Sequence, residues 1–425
     1  MKATIEPSYI NGDLRPPSSK SITQRAYAAA LLHKGKTIIR HAGTSDDDVA
    51  ALRIIQQLGA TIVSQTEDVT EIVSNGVAPT QDSINCGESG LGARLFTPIA
   101  ALCGQAMSIE GMGSLLQRPM DGFKQLLTPL GVTISGFNGY LPFTVQGPMV
   151  PKTIKIDASE GSQFLSGLLF ALSYCATEKI NIDVTGLTSK PYIDVTLDVL
   201  KQFGKPISQK YYKYFTIDPA LFTHTDTVEL TVEADWSSAA FMLVAGAIAG
   251  KVTVSNLNTQ SKQADRAIVD VLQSTGADMA IEDTTITTNK SRMTAFEFDA
   301  TNCPDLFPVL AILAACCNGE SHILGVHRLF HKESNRVESV TEMLHDFQVP
   351  WSVEDDKLYV TGGSRLHGTV IDTYKDHRIV MAAAIGALRA NGQVDISHVE
   401  AVNKSYPDFF KELIKCGVRC NFDNG

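Results

Sequence analysis

The chain has 425 residues, 44% of them hydrophobic and 19% charged, the composition of an ordinary soluble globular protein and too long for one core. Its formal net charge of −10 argues against nucleic acid as a partner, although a local cluster of cations can hold a small anion inside an acidic shell. The longest apolar run, residues 306–317, is too short to span a bilayer, and the N-terminus carries no apolar leader pattern, so a cytoplasmic protein without a membrane partner is expected.

In chain order, the first predicted element is the helix of PPSSKSITQRAYAAALL. Pro16-Pro17 impose an extended approach, Ser18 or Ser19 can cap the helix, and Lys20, Ser21 and Arg25 crowd its first turns. Two cations at the electropositive end of a helix are unfavourable unless an anion binds there. The plain alternative is a solvated basic turn, but the very apolar continuation favours a buried helix with a polar mouth. AALRIIQQLG follows as an amphipathic helix, with Leu52, Ile55 and Leu58 at helical spacing and Gly59 as a left-handed stop. In GESGLGARLFTPIAAL, Gly87, Gly90 and Gly92 let a ligand approach backbone N–H groups and Arg94 adds a charge, although such a turn is often only tight packing. Arg118, in QRPMDGF, reads on its own as a surface arginine. SEGSQFLSGLLFAL offers Ser162 and Gln163 as neutral hydrogen-bonders or as a plain cap, and SKPYIDVTLDVL places Ser189, Lys190 and Tyr192 at a helix start.

In the second half, Asp235, Asp305 and Asp376 each begin a helix, where the dipole favours a carboxylate whatever its function. HRLFHKESNRVESV puts Lys332 and Arg336 on one helical face with Glu333 about 100° away, which reads either as an anion-binding pair beside a proton donor or as an exposed salt-bridged turn. His327 and His331 are four apart but lack a third ligand and read as structural. DHRIVMAAAIGAL and NKSYPDFF supply His377, Arg378 and Lys404. The eight cysteines show no zinc-type spacing, so reduced thiols and no metal are expected.

The polar openings at Lys20, Gly90, Gln163, Asp235, Asp305 and Asp376 recur at steps of about 70 residues. A second series of stops, at Gly59, Gly131, Gly204, Gly276 and Gly417, has the same period, with Gln348 standing in the fifth copy. One unit used six times, reading strand, buried helix, strand, amphipathic helix, strand, implies an α/β fold in two domains of three units. Six helix N-termini facing one cleft would make an anion trap.

The segments PPSSKSITQRA, GARLF, QRPMDGF, GSQFLSGLL, SKPYIDVT, VEADWSSAAFML, CPDLFPVLA, HKESNR, KDHRIVMAAA and NKSYPDFF, in this order, closely resemble the 5-enolpyruvylshikimate-3-phosphate synthase family of enolpyruvyl transferases over nearly the whole chain. The resemblance implies a two-domain inside-out α/β barrel, each domain three βαβαββ repeats: residues 1–18 with 233–425, and residues 19–232, closing over substrate at an interdomain cleft. It implies a monomer without cofactor, a glyphosate target, that moves the enolpyruvyl group of phosphoenolpyruvate to the 5-hydroxyl of shikimate 3-phosphate and releases phosphate. Ser21, Arg25, Ser162, Gln163, Ser189, Tyr192, Asp305 and Lys332 match contacts to shikimate 3-phosphate, and Lys20 serves both substrates. Lys20, Gly90, Arg118, Gln163, Arg336, Arg378 and Lys404 match contacts to phosphoenolpyruvate. Asp305 is assigned as base for the hydroxyl, Glu333 as the group exchanging a proton with the methylene carbon, and Lys20 as partner of the leaving phosphate.

Four positions depart from the family pattern. Glu88 and Leu91 stand where an asparagine and a threonine are usual, Gly161 where a serine helps hold phosphate, and Asn335 where KESDR has aspartate. UDP-N-acetylglucosamine enolpyruvyl transferase is the nearest alternative, but Lys20-Ser21 and the GSQ and SKPY segments favour the shikimate substrate. A non-catalytic anion-binding protein on the same scaffold would have lost Lys20, Asp305 or Glu333, and all three are present.

Overall fold

Among the described residues the chain builds six four-stranded sheets in the same order, each with a parallel pair at one side and an antiparallel pair at the other. In the second copy Ser83–Asn85 runs parallel to Ala106–Glu110, joined by the helix Gly90–Ala100. The helix Gly122–Leu127, with its 3₁₀ extension Thr128–Leu130, then leads to Thr133–Ser135 and Phe143–Gln146, and the later strand inserts between its predecessors. The repeat is therefore βαβαββ, one strand more than the alternation alone suggests. Its last two strands are joined by turns as short as Asp355–Asp356, so in sequence the two read as a single strand-like segment.

This computed structural model describes residues 1–423 and divides into two compact units, Ser18–Glu233 on one hand and Met1–Pro17 with the chain from Ala234 onward on the other. Each unit holds three repeats, completed by distant strands. In the first, Thr227–Thr231 runs parallel to Gly35–Arg40 and finishes the sheet begun at the other end of the segment. In the second, Ile10–Leu14 runs parallel to Gly250–Val254, and Lys2–Ile5 lies between Val394–Ser397 and Cys420–Asp423. Short backbone bonds mark both boundaries: Ser19 N–H to Glu233 O at 2.8 Å, and Asp235 N–H to Pro17 O at 2.8 Å.

Within each unit the helices are inside and the sheets outside. Lys20–Leu32, Gly90–Ala100 and Ser162–Cys175 pack on one another in one unit, and Trp236–Ala249, Phe307–Cys316 and His377–Ala387 do so in the other. All fourteen residues of Trp236–Ala249 are buried, as expected for a helix that is apolar all round. The second helices of the repeats, such as Asp46–Gln57 and Arg336–Asp346, bury only a stripe.

The glycine stops take left-handed backbone, with φ of +109° at Gly59, +79° at Gly131, +71° at Gly204, +77° at Gly276 and +90° at Gly417. Gln348 holds φ +59° at the equivalent point. The architecture thus imposes on a glutamine a conformation that costs a non-glycine residue about 1–2 kcal/mol.

Candidate active site

In the unit containing Asp305, the chemistry collects around one arginine. Arg336 opens the helix Arg336–Asp346 and is fully buried. Its Nη1 donates to Asp305 Oδ1 at 2.6 Å, its Nη2 to Glu333 Oε2 at 2.7 Å, and its Nε to Asp376 Oδ2 at 2.8 Å. Burial works against the Arg336 charge, but Asp376, Glu333 and Asp305 outweigh it and hold the guanidinium well above its ordinary value.

Asp305 receives two further cations, Lys332 Nζ at 3.4 Å and Arg378 Nη2 at 3.7 Å. Burial pushes its carboxyl up, yet Lys332, Arg336 and Arg378 together pull it well below the usual carboxylate range. Lys332 is lowered, chiefly by burial. Arg378 is buried with Nε and Nη1 unmatched by any hydrogen-bond acceptor, so it is receptive to an anion. Lys404 is also buried, at the end of the 3₁₀ turn Val399–Lys404, which packs on the helix His377–Ala387.

Two sequence expectations are corrected here. Lys332 and Glu333 do not share a helix with Arg336; they lie in the bend before it and reach back to the same group. Asp305 does not cap its helix. It sits in the 3₁₀ turn Pro304–Leu306 and is drawn to the cations instead, whereas Asp235 and Asp376 do cap, accepting from Ser238 N–H and Arg378 N–H. His327 pairs with Asp356 at 2.7 Å, in keeping with a structural part.

In the unit Ser18–Glu233, Lys20 begins its helix and reaches Asp47 Oδ2 at 2.9 Å. Ser19 occupies the cap position, but its hydroxyl faces Ser21 Oγ at 3.3 Å rather than capping. Arg25 is buried as a hub, donating to Thr196 Oγ1 at 2.8 Å, Ser21 O at 2.7 Å, and Ser166 Oγ and Tyr192 O at 3.4 Å. Burial lowers it to about 10, with Tyr192 opposing. Three residues matched to shikimate 3-phosphate (Ser21, Arg25 and Tyr192) thus share one network. Ser162 heads its helix and Ser189, at φ +54°, precedes another; both are buried. Gly161 has φ +130°, so a serine there would be strained and the departure has a backbone reason.

Gly90, Arg118 and Gln163 converge through Arg94. Its Nη1 donates to Gly90 O at 3.3 Å and Gln163 Oε1 at 3.2 Å, its Nη2 to Pro119 O at 3.0 Å, and its Cζ lies 5.0 Å from the Phe164 ring centre. Arg118 is not a surface arginine: it is buried, with Nη1 only 2.5 Å from where a Gly90 Cβ would stand. Asn335, at the cap of Arg336–Asp346, makes no cap bond.

Sequence reasoning passed over Asp47 and took Arg94 only as an added charge beside the glycines. Asp376 looked like any dipole-favoured cap. Only the spare cations at Lys20 and Arg336, counted against available carboxylates, could have pointed to them. Among the described residues no helix is long and apolar enough to cross a membrane, and no cluster of His, Cys, Asp or Glu could hold a metal ion.

Comparison with known proteins bears on these two constellations. The family described as EPSP synthase (3-phosphoshikimate 1-carboxyvinyltransferase) matches residues 5–413. The chain belongs to the EPSP synthase family. A 3-phosphoshikimate 1-carboxyvinyltransferase of Clostridium novyi is 34% identical over 97% of this chain and 97% of its own length. One from Thermococcus kodakarensis is 35% identical over 95% and 97%. EPSP synthase from Acinetobacter baumannii superposes with a TM-score of 0.82 at 23% identity, covering 99% of this chain and 100% of that one. The enolpyruvyl transferase NikO from Streptomyces tendae does so at 0.79 and 17%, covering 99% and 98%, and at such identities the likeness speaks for the fold. The Arg336–Asp305 network, and the glycines and arginines around Gly90, are therefore features of an EPSP synthase family member.

Proposed function

We propose that the chain transfers the enolpyruvyl group of phosphoenolpyruvate to the 5-hydroxyl of shikimate 3-phosphate, releasing phosphate, as a cytoplasmic monomer that engages neither nucleic acid nor membrane. The observation that carries the reading is the convergence of Lys332, Arg336 and Arg378 on Asp305, within a family whose relatives are named for this reaction.

In this reading Asp305 takes the hydroxyl proton as that oxygen bonds to C2 of phosphoenolpyruvate, while Glu333 delivers a proton to C3. The adduct then returns a methyl proton to Glu333 as the C–O bond to phosphate breaks, and Lys20 stabilises or protonates the departing phosphate. Lys20, Gly90, Arg118, Gln163, Arg336, Arg378 and Lys404 hold the donor, and Lys20, Ser21, Arg25, Ser162, Gln163, Ser189, Tyr192, Asp305 and Lys332 the acceptor. Arginine forks suit the carboxylate and phosphate groups. A carboxylate as acidic as Asp305 is a poor base while three cations hold it. A donor carboxylate that engages Arg336 and Arg378 loosens that hold, so basicity rises as the substrate binds. Turnover in deuterium oxide tests the scheme: deuterium is expected in the vinyl methylene of the product when both substrates are present. A product free of deuterium would remove proton exchange at that carbon from the mechanism.

A further inference from the structure

Glu88 stands two residues before Gly90, and a carboxylate beside an anion-binding glycine should repel the anion. Its Oε2 is instead committed to the next segment, accepting from the Ser114 hydroxyl at 2.9 Å and the Ser114 N–H at 3.2 Å. Gly113 has φ +54°, and a Cβ there would collide with the Glu88 carboxylate, so the fit needs glycine. The neighbouring Met112 N–H donates to Gly87 O at 2.8 Å. From this dock the 3₁₀ turn Gly113–Gln117 runs directly into Arg118, whose own N–H donates to Leu115 O. Arg118 Nη1 then returns to within 2.5 Å of the space beside Gly90. Glu88, Ser114, the turn, Arg118 and Gly90 form a closed circuit, fastened at its far side by Arg94 on Pro119 O.

We propose that Glu88 is a positioning residue: by clasping Ser114 it fixes the turn that sets the Arg118 guanidinium against Gly90, and so tunes affinity for the anionic donor without touching the acceptor. The inference rests on the reading of Gly90 and Arg118 as donor contacts. A carboxylate suits the part because one oxygen accepts from both N–H and O–H, in charge-assisted bonds stronger than an amide would make.

The test compares the parent with Glu88→Ala, Glu88→Gln and Ser114→Ala, by steady-state kinetics and by hydrogen exchange across residues 112–119. Glu88→Ala is expected to raise KM for phosphoenolpyruvate about ten- to a hundredfold, the range for losing hydrogen bonds to a charged group, with kcat and KM for shikimate 3-phosphate nearly unchanged. Glu88→Gln should be milder, as should Ser114→Ala, which loses the hydroxyl bond but keeps the N–H bond, and in the double variant Ser114→Ala should add little to Glu88→Ala, because the hydroxyl acts only through that carboxylate. Exchange at the Ser114 amide should accelerate in Glu88→Ala while the helix Gly90–Ala100 keeps its protection. An unchanged donor KM, or equal weakening for both substrates with loss of protection throughout the unit, overturns the proposal. Failure of the parent to turn over either substrate would sink the functional reading alone. The clasp would then stand or fall on whether the Ser114 amide exchanges faster in Glu88→Ala.

Discussion

Asp376 grips Arg336 side-on: Oδ2 accepts from Nε at 2.8 Å and Oδ1 from Nη2 at 3.2 Å, and both residues are fully buried. The same carboxylate caps the helix His377–Ala387 through the Arg378 N–H at 2.9 Å and accepts from Ser334 Oγ at 3.0 Å. One aspartate therefore orients the two arginines that flank Asp305, one through its side chain and the other through its backbone.

Asp376→Ala leaves a buried guanidinium without its principal partner and a helix without its cap. Removing one member of a buried ion pair costs about 3–5 kcal/mol. Urea denaturation should report a loss of that order, while Asp376→Asn, which keeps an acceptor, should lose less.

Asp305→Asn should fold and bind substrates yet lose about 10²–10⁴ in kcat, the usual share of a general base. Its carboxyl is held below the ordinary range when folded, so it adds stability above the unfolded value of about 3.9 and loses it as pH falls through the depressed value. Parent and variant should therefore differ in stability at neutral pH and converge only in strong acid. Turnover close to the parent's would remove Asp305 from the mechanism.

Gly90→Ala would place a methyl group 2.5 Å from Arg118 Nη1 and 3.0 Å from Arg94 Nη1. Both guanidinium groups must shift, so KM for phosphoenolpyruvate should rise far more than KM for shikimate 3-phosphate. Paired titrations decide it, and equal weakening of both would point to general disruption.

Asp48, buried in the capping box with Ser45, is pushed up to about 7 by burial, with Ser45 and Lys20 opposing and Asp47 adding. The fold thus prefers the protonated acid. That contribution is fully present below the unfolded value of about 3.9 and is lost as pH rises through about 7. Asp48→Asn keeps a bond acceptor for Ser45 but cannot ionise. Its stability relative to the parent should grow by at most about 1.4 kcal/mol per pH unit across that window, as read from urea midpoints. A constant difference from acid to neutral pH would contradict the burial argument.

Much of the architecture was legible because it is local. Polar openings before Ala- and Leu-rich runs placed the helices at Lys20, Gly90 and Ser162, and glycine after an amphipathic stretch marked left-handed stops. Gln348 shows the reverse: the period revealed a left-handed position that its side chain would have hidden. What escaped depends on partners far apart in sequence. Arg118 fits where it does because Gly90 has no side chain to displace it, and Asp376 matters because Arg336, forty residues earlier, lies across it. Lys332 and Glu333 carried a helical spacing but not a helix, since their attraction to Asp305 and Arg336 holds that stretch as a bend.

The most direct measurement is phosphate release by the purified chain with phosphoenolpyruvate and, in parallel, shikimate 3-phosphate or UDP-N-acetylglucosamine as acceptor. The account predicts sustained release with shikimate 3-phosphate, none with the nucleotide sugar, and near-complete loss in Asp305→Asn. Release with UDP-N-acetylglucosamine, or none with shikimate 3-phosphate, would contradict it.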